Sequence, residues 1–172
     1  MVVVDSDLEI RKSAFSAGGI SSLGGEITST VISENLKSLW DNVSSAELSS
    51  TVVGEYEVRC VYIYNATLNN ETLELTQIYI HQNTASAYTD IDIGVGTAAI
   101  GDVEQTVADE STLPADINWT FARGEDNAQL LGDLPPAKGK SVWIRRHAGP
   151  ARSDSSYAGD NYILAFKVKR TG

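Results

Sequence analysis

Apolar residues alternate with polar ones along most of this chain, at the period of two that belongs to β-strands. In Glu55–Tyr64 the residues Tyr56, Val58, Cys60, Tyr62 and Tyr64 fall on one face, with Glu57 and Arg59 on the other. Val61 and Ile63 continue that second face, which predicts cover on both sides of the later half. Leu73–His81 is a second strand, rich in β-branched and aromatic residues, and Ala66–Glu71 is turn-like. The two strands read as a hairpin with a loop of medium length. Thr89–Thr97 places Ile91, Ile93 and Val95 opposite Asp90, Asp92, Gly94 and Gly96. Ile117, Trp119 and Phe121 form a short strand, and Ser141–Arg146 sends Val142 and Ile144 inward with Trp143 and Arg145 opposite. In the last strand Tyr162, Leu164, Phe166 and Val168 alternate with Ile163, Ala165, Lys167 and Lys169.

The remaining segments are weaker. Val2, Val3, Val4, Leu8 and Ile10 suit an edge strand. Residues 13–25, SAFSAGGISSLGG, are small and uncharged, and predict an arm or extended connector with no core of its own. Glu26–Ile32 has β-branched character. Ser33–Val43, with a possible cap at Ser33 and with Leu39 and Trp40 three and four residues after Leu36, suits one or two helical turns inside a loop. Ile100, Val103 and Val107 would allow one short helix, and His147–Asn161 reads as an exposed loop. Short strands separated by Gly, Pro, Asn and Asp predict an all-β antiparallel sandwich, Ig-like or jelly-roll-like. The expected organisation is a flexible N-terminal arm over residues 1–25 and a sandwich over 26–172.

At 172 residues, 42% hydrophobic and 21% charged, the chain has material for one well-cored domain. The charge is segregated. Residues 138–172 hold eight Lys/Arg against two acids, a net of +6, while the whole chain carries −10, leaving −16 on residues 1–137. Such asymmetry points to an interaction surface, and the acidic total argues against nucleic-acid binding. Cys60 is alone, so no intrachain disulfide or multi-cysteine metal site is available. The opening MVVVDSDLEIRK does not read as a signal peptide, and no apolar run has the length of a membrane span.

Candidate chemistry is sparse. His81 and His147 are the two histidines, and no nucleophile elbow accompanies them. Gly94-Val-Gly-Thr-Ala-Ala99 matches G-x-G-x-x-A, but no alternating strand–helix series follows it. The glycines there are better read as permitting a close backbone approach. Asp90 and Asp92 share a strand face without calcium-loop spacing. They read as a solvated acidic face, or as a docking partner for the Arg145/Arg146 region of a neighbouring subunit. Neither catalytic residues nor a cofactor or metal site is expected. The residues expected to bind a partner are the basic rim Lys138, Lys140, Arg145, Arg146 and Arg152, with the aromatics Trp143 and Trp40. Trp143 has the competing reading of a residue covered by the other sheet or by the arm.

Five segments carry a resemblance: SLGGEITS (22–29), LWDNVSSAE (39–47), EYEVRCVYIYN (55–65), AIGDVEQTVADESTLPA (99–115) and LPPAKGKSVWIRR (134–146). Together, and in this order, they resemble a group of small β-rich phage virion proteins. The resemblance implies a non-enzymatic structural role on the virion, made in the host cytoplasm, with capsid decoration (cement) as the first expectation. A receptor- or carbohydrate-binding module of a tail fibre is the alternative. The implied partners are the major capsid protein or other virion proteins and further copies of the chain, with a trimer favoured. An arm of this kind would be removable without unfolding the sandwich.

Overall fold

The structure is a computed structural model that describes residues 7–32, 40, 55–68, 70–84, 89–148 and 161–169. Its strands are β1 (Leu8–Ser13), β2 (Ser16–Ala17), β3 (Ile20–Ser21), β4 (Gly24–Gly25), β5 (Ile27–Val31), β6 (Glu55–Asn65), β7 (Leu73–Thr84), β8 (Thr89–Val95), β9 (Glu104–Thr106), β10 (Gln129–Leu134), β11 (Gly139–Ala148) and β12 (Asn161–Lys169). A five-stranded sheet runs β5-β1-β6-β11-β8, and a three-stranded sheet runs β10-β7-β12. Every ladder between these strands is antiparallel. The all-β sandwich expected from the alternating pattern is the fold observed.

β6 organises it, because both of its faces are apolar. Val61 and Ile63 look into the space between the sheets, where they meet Ile93, Val142 and Ile144 from their own sheet. Leu73, Ile78, Ile80, Leu131 and Leu134 close that core from the smaller sheet, and Leu164, Phe166 and Val168 pack at its side. On the reverse face Val58, Cys60 and Trp143 form a second core with Leu23 and Val107. The larger sheet is thus covered on both sides, which explains why β6 and β11 read as nearly continuous apolar runs.

The second core corrects the picture of the N-terminus. β1 is an inner strand, held between β5 and β6, with Ile10 opposite Ile63. Residues 13–25 follow as a strap. β2 and β3 form a small hairpin, β4 pairs with β9, and Leu23 is fully buried. Ser13 Oγ donates to Cys60 O at 2.9 Å and accepts from Gly24 N at 3.1 Å. Gly24 has φ +96° and lies against the Gln105 backbone, a position no other residue fits. The small, uncharged composition that suggests a loose arm is what lets the strap lie flat on the sheet.

β6 and β7 do not form a hairpin; they belong to different sheets. The corner between them is fixed by Asn65, whose Nδ2 donates to Glu71 O and Leu134 O, each at 2.8 Å. Segment 117–121 is no strand: it touches β8 through the single bridge Ile93↔Thr120, bounded by positive φ at Asp116 and Ala122. Turns and β9 stand where a short helix over 100–107 was allowed. The helical turns expected in Ser33–Val43 lie outside the described residues apart from Trp40, as does most of the 147–161 loop.

Candidate functional site

The predicted basic rim is not a rim. Successive residues of β11 point to opposite faces, so Arg145 and Arg146 are separated by the sheet. Arg145 lies opposite Asp92 of β8. Its Nε donates to Asp92 Oδ1 at 2.8 Å while a second nitrogen holds Oδ2, a two-pronged pair. Its guanidinium carbon stands 4.5 Å from the Trp119 ring centroid and 4.8 Å from that of Tyr56. The hydrogen bonds it donates to Asp92 raise its pKa despite burial, so the group stays cationic. Asp92 is therefore neither a solvated acid nor a docking group for a neighbour; its partner is Arg145 of the same chain.

On the other face Arg146 lies opposite Glu57 and donates to its carboxylate at 2.5 Å. Arg146 and Arg59 both stack on Trp40, at 4.8 and 4.9 Å. Arg59, itself buried, pairs with Glu110 at 2.5 Å. Trp40 thus anchors internally between two guanidinium groups. Trp143 has 0% exposure and is a core residue; the strap and Val107 cover it, in agreement with the covered-by-the-arm reading. Trp143 is therefore not an exposed binding platform.

Lys140 reaches back to Ala98 O. Burial lowers its pKa, with nearby Glu104 opposing. Lys138 is exposed and runs alongside Gly101, and Arg152 lies outside the described residues.

A network missed in the sequence sits beside Lys140. Glu104, on β9, is buried, and its carboxylate accepts from Ser141 Oγ, Ala98 N at 3.2 Å, Gln105 N at 3.1 Å and Thr97 Oγ1 at 3.2 Å. Burial pushes the Glu104 pKa up, but these donors together outweigh it and hold the carboxyl below its usual range. Tyr62 Oη donates to Gly25 O at 2.6 Å and accepts from Glu104 N at 3.0 Å. Burial drives that phenol up to about 12, so it remains protonated. Gly96 lies directly under Ser141 and Glu104, so the G-x-G-x-x-A run makes the close approach expected of it and carries no cradle. The only sequence signal for Glu104 is an acid set directly after Val103 and three residues before Val107.

Other chemistry is dispersed. His81 is exposed on β7, edge-on to Tyr79 at 6.2 Å, while Asp92 belongs to the other sheet. Cys60 is buried, and burial first, then Glu104, pushes its thiol pKa well up, making it a packing residue. Among the described residues no group of three or more His, Cys, Asp or Glu is placed to hold a metal ion.

Among the described residues, the outer face of β10-β7-β12 carries no layer. Gln77 and Tyr79 run along its centre, Leu130 lies across from Gln77, and Ile163, Ala165 and Lys167 line β12. Lys167 spans the face to reach Glu125 at 2.5 Å. No family model, no curated protein and no solved structure matches the chain.

Proposed function

We propose that this is a non-enzymatic structural protein of a phage virion, a decoration (cement) protein that joins neighbouring major-capsid subunits as a homo-oligomer. The observation that carries the reading is the use made of its reactive side chains. Arg145, Arg146 and Glu104 each join neighbouring strands, Arg59 ties β6 to the turn at Glu110, and His81 and Asp92 stand on separate sheets. What the molecule presents outward is a broad sheet face and blunted edges. β10 pairs with two irregularities, β5 with one, β12 carries Lys167 and Lys169, and Thr120 bridges β8. Such edges resist strand addition and leave faces to make contacts. The resemblance to small virion proteins runs in the same direction.

With Trp143, Arg145 and Arg146 turned inward, attachment falls to exposed Lys138 and to the lysines of β12. The test is immunogold labelling of purified virions with an antibody against the chain. Label spread over the heads supports the reading. Label confined to tail fibres moves the chain to the receptor- or carbohydrate-binding alternative, and unlabelled particles remove it from the virion.

A further inference from the structure

We infer that the outer face of the β10-β7-β12 sheet is a self-association surface, on which a second copy of this chain sits about a two-fold axis parallel to β7. Both faces of the larger sheet are already covered, by the two cores, so among the described residues this is the sheet face without a layer on it. It keeps large apolar side chains in water: Leu130 is 55% exposed on one flank and Ile163 41% on the other. The blunted edges rule out association by strand pairing, which leaves face-to-face packing.

The occupant follows from charge. The basic excess of the C-terminal part of the chain emerges here as Lys167 and Lys169 on β12, along one edge. At the opposite side the chain carries Glu125 and Asp126, in the short turn just before β10. A half-turn about an axis parallel to β7 exchanges the two edges. It lays the lysine row of each copy over the acidic turn of the other, forming two equivalent Lys167–Glu125 contacts. The existing pair within one chain is about half exposed on both partners, 54% and 55%, so it opens into water at little cost and re-forms across the interface. For a chain of net charge −10, general repulsion opposes pairing at most surfaces. This face offers each copy the sign it needs. The area is modest: three strands about 4.8 Å apart and roughly eight residues long make roughly 400 Å² per copy, about half of a standard interface contribution. The dimer is therefore concentration-dependent. It is a two-fold pair, where the sequence alone favours a trimer.

The proposal does not depend on a virion role, so its failure and that of the labelling experiment are separate. The test uses absolute mass by sedimentation velocity over a concentration series, for the full chain and for Lys167→Glu and Glu125→Lys. The wild-type mass is expected to rise from one chain toward two. Each single variant, folded by circular dichroism, is expected to need roughly tenfold more protein to reach the same dimer fraction. An equimolar mixture of the two variants recovers the wild-type mass, because both contacts then join opposite charges, which an unfolded variant would not achieve. Ile163→Asp is expected to abolish the rise. A wild-type chain that stays monomeric across the series, or a dimer indifferent to all three substitutions, overturns the proposal.

Discussion

A single guanidinium, that of Arg145, joins β11 to β8 through Asp92 and fills the space between Tyr56 and Trp119. Both roles need a flat, forked cation, so charge alone will not replace it. Arg145→Ala leaves Asp92 buried without a partner and is expected to cost about 3–5 kcal/mol in urea unfolding. Arg145→Lys keeps the charge but loses the fork and the stacking, and is expected to cost about 1–3 kcal/mol. Glu104 is expected to contribute to the acid limb of stability. Its folded-state pKa lies below that of the unfolded chain, so its contribution is complete above the ordinary carboxyl value of about 4.3 and is lost as pH falls through the folded value. Glu104→Gln removes that titration and presents an amide to the Ala98 and Gln105 N–H groups. Thermal melts from pH 3 to pH 7 are expected to show a loss of about 1–3 kcal/mol at neutral pH and a flatter acid limb. A variant that keeps the wild-type acid limb would remove Glu104 as its source.

At the level of elements, the strap over residues 13–25 decides how the N-terminus behaves. It seals the second core through Leu23 and feeds β1 into the sheet between β5 and β6. Removing residues 1–25 is therefore expected to abolish the cooperative unfolding transition, where a detachable arm would leave it intact. Trp143→Ala, which empties the same core, is expected to cost about 3–5 kcal/mol by chemical denaturation. The strands were legible where alternation ran for six residues or more: β6, β7, β8, β11 and β12 all lie where the pattern puts them. Their partners were not, because pairing is set by which faces need covering. An apolar face on β6 looks the same whether β7 or β11 lies beside it. The strap was illegible for a related reason: its small residues matter for fitting under Gln105 and around Trp143, and that fit exists only once distant segments are in place. Of the site residues, sequence found the arginines and tryptophans but not their direction. Arg145 and Arg146 look like a basic pair until their acids, 53 and 89 residues away in sequence, are brought opposite them.

For the molecule as a whole, segregated charge along the chain becomes two kinds of electrostatics. Part of the basic C-terminal excess is neutralised internally by Asp92 and Glu57, and part emerges on β12 beside the bare sheet face. Burial protects the internal pairs from salt, while the exposed Lys167–Glu125 pair is screened at 0.15 M and above. Raising salt is thus expected to leave the chemical-denaturation midpoint of the monomer within about 0.5 kcal/mol of its low-salt value. The position of β6 also has a consequence for how the chain comes into being. Its neighbours in the sheet are β1, made long before it, and β11, made some eighty residues later. Neither face of β6 can be closed from what a ribosome has released when β6 itself emerges. The sandwich must therefore condense late, once residues beyond Ala148 have been released, and with pairings this distant it folds on the milliseconds-to-seconds scale of non-local β-proteins. Until then an apolar strand paired on one side alone, with its faces still uncovered, is in solution, and the cell that makes this protein has to keep the unfinished chains apart.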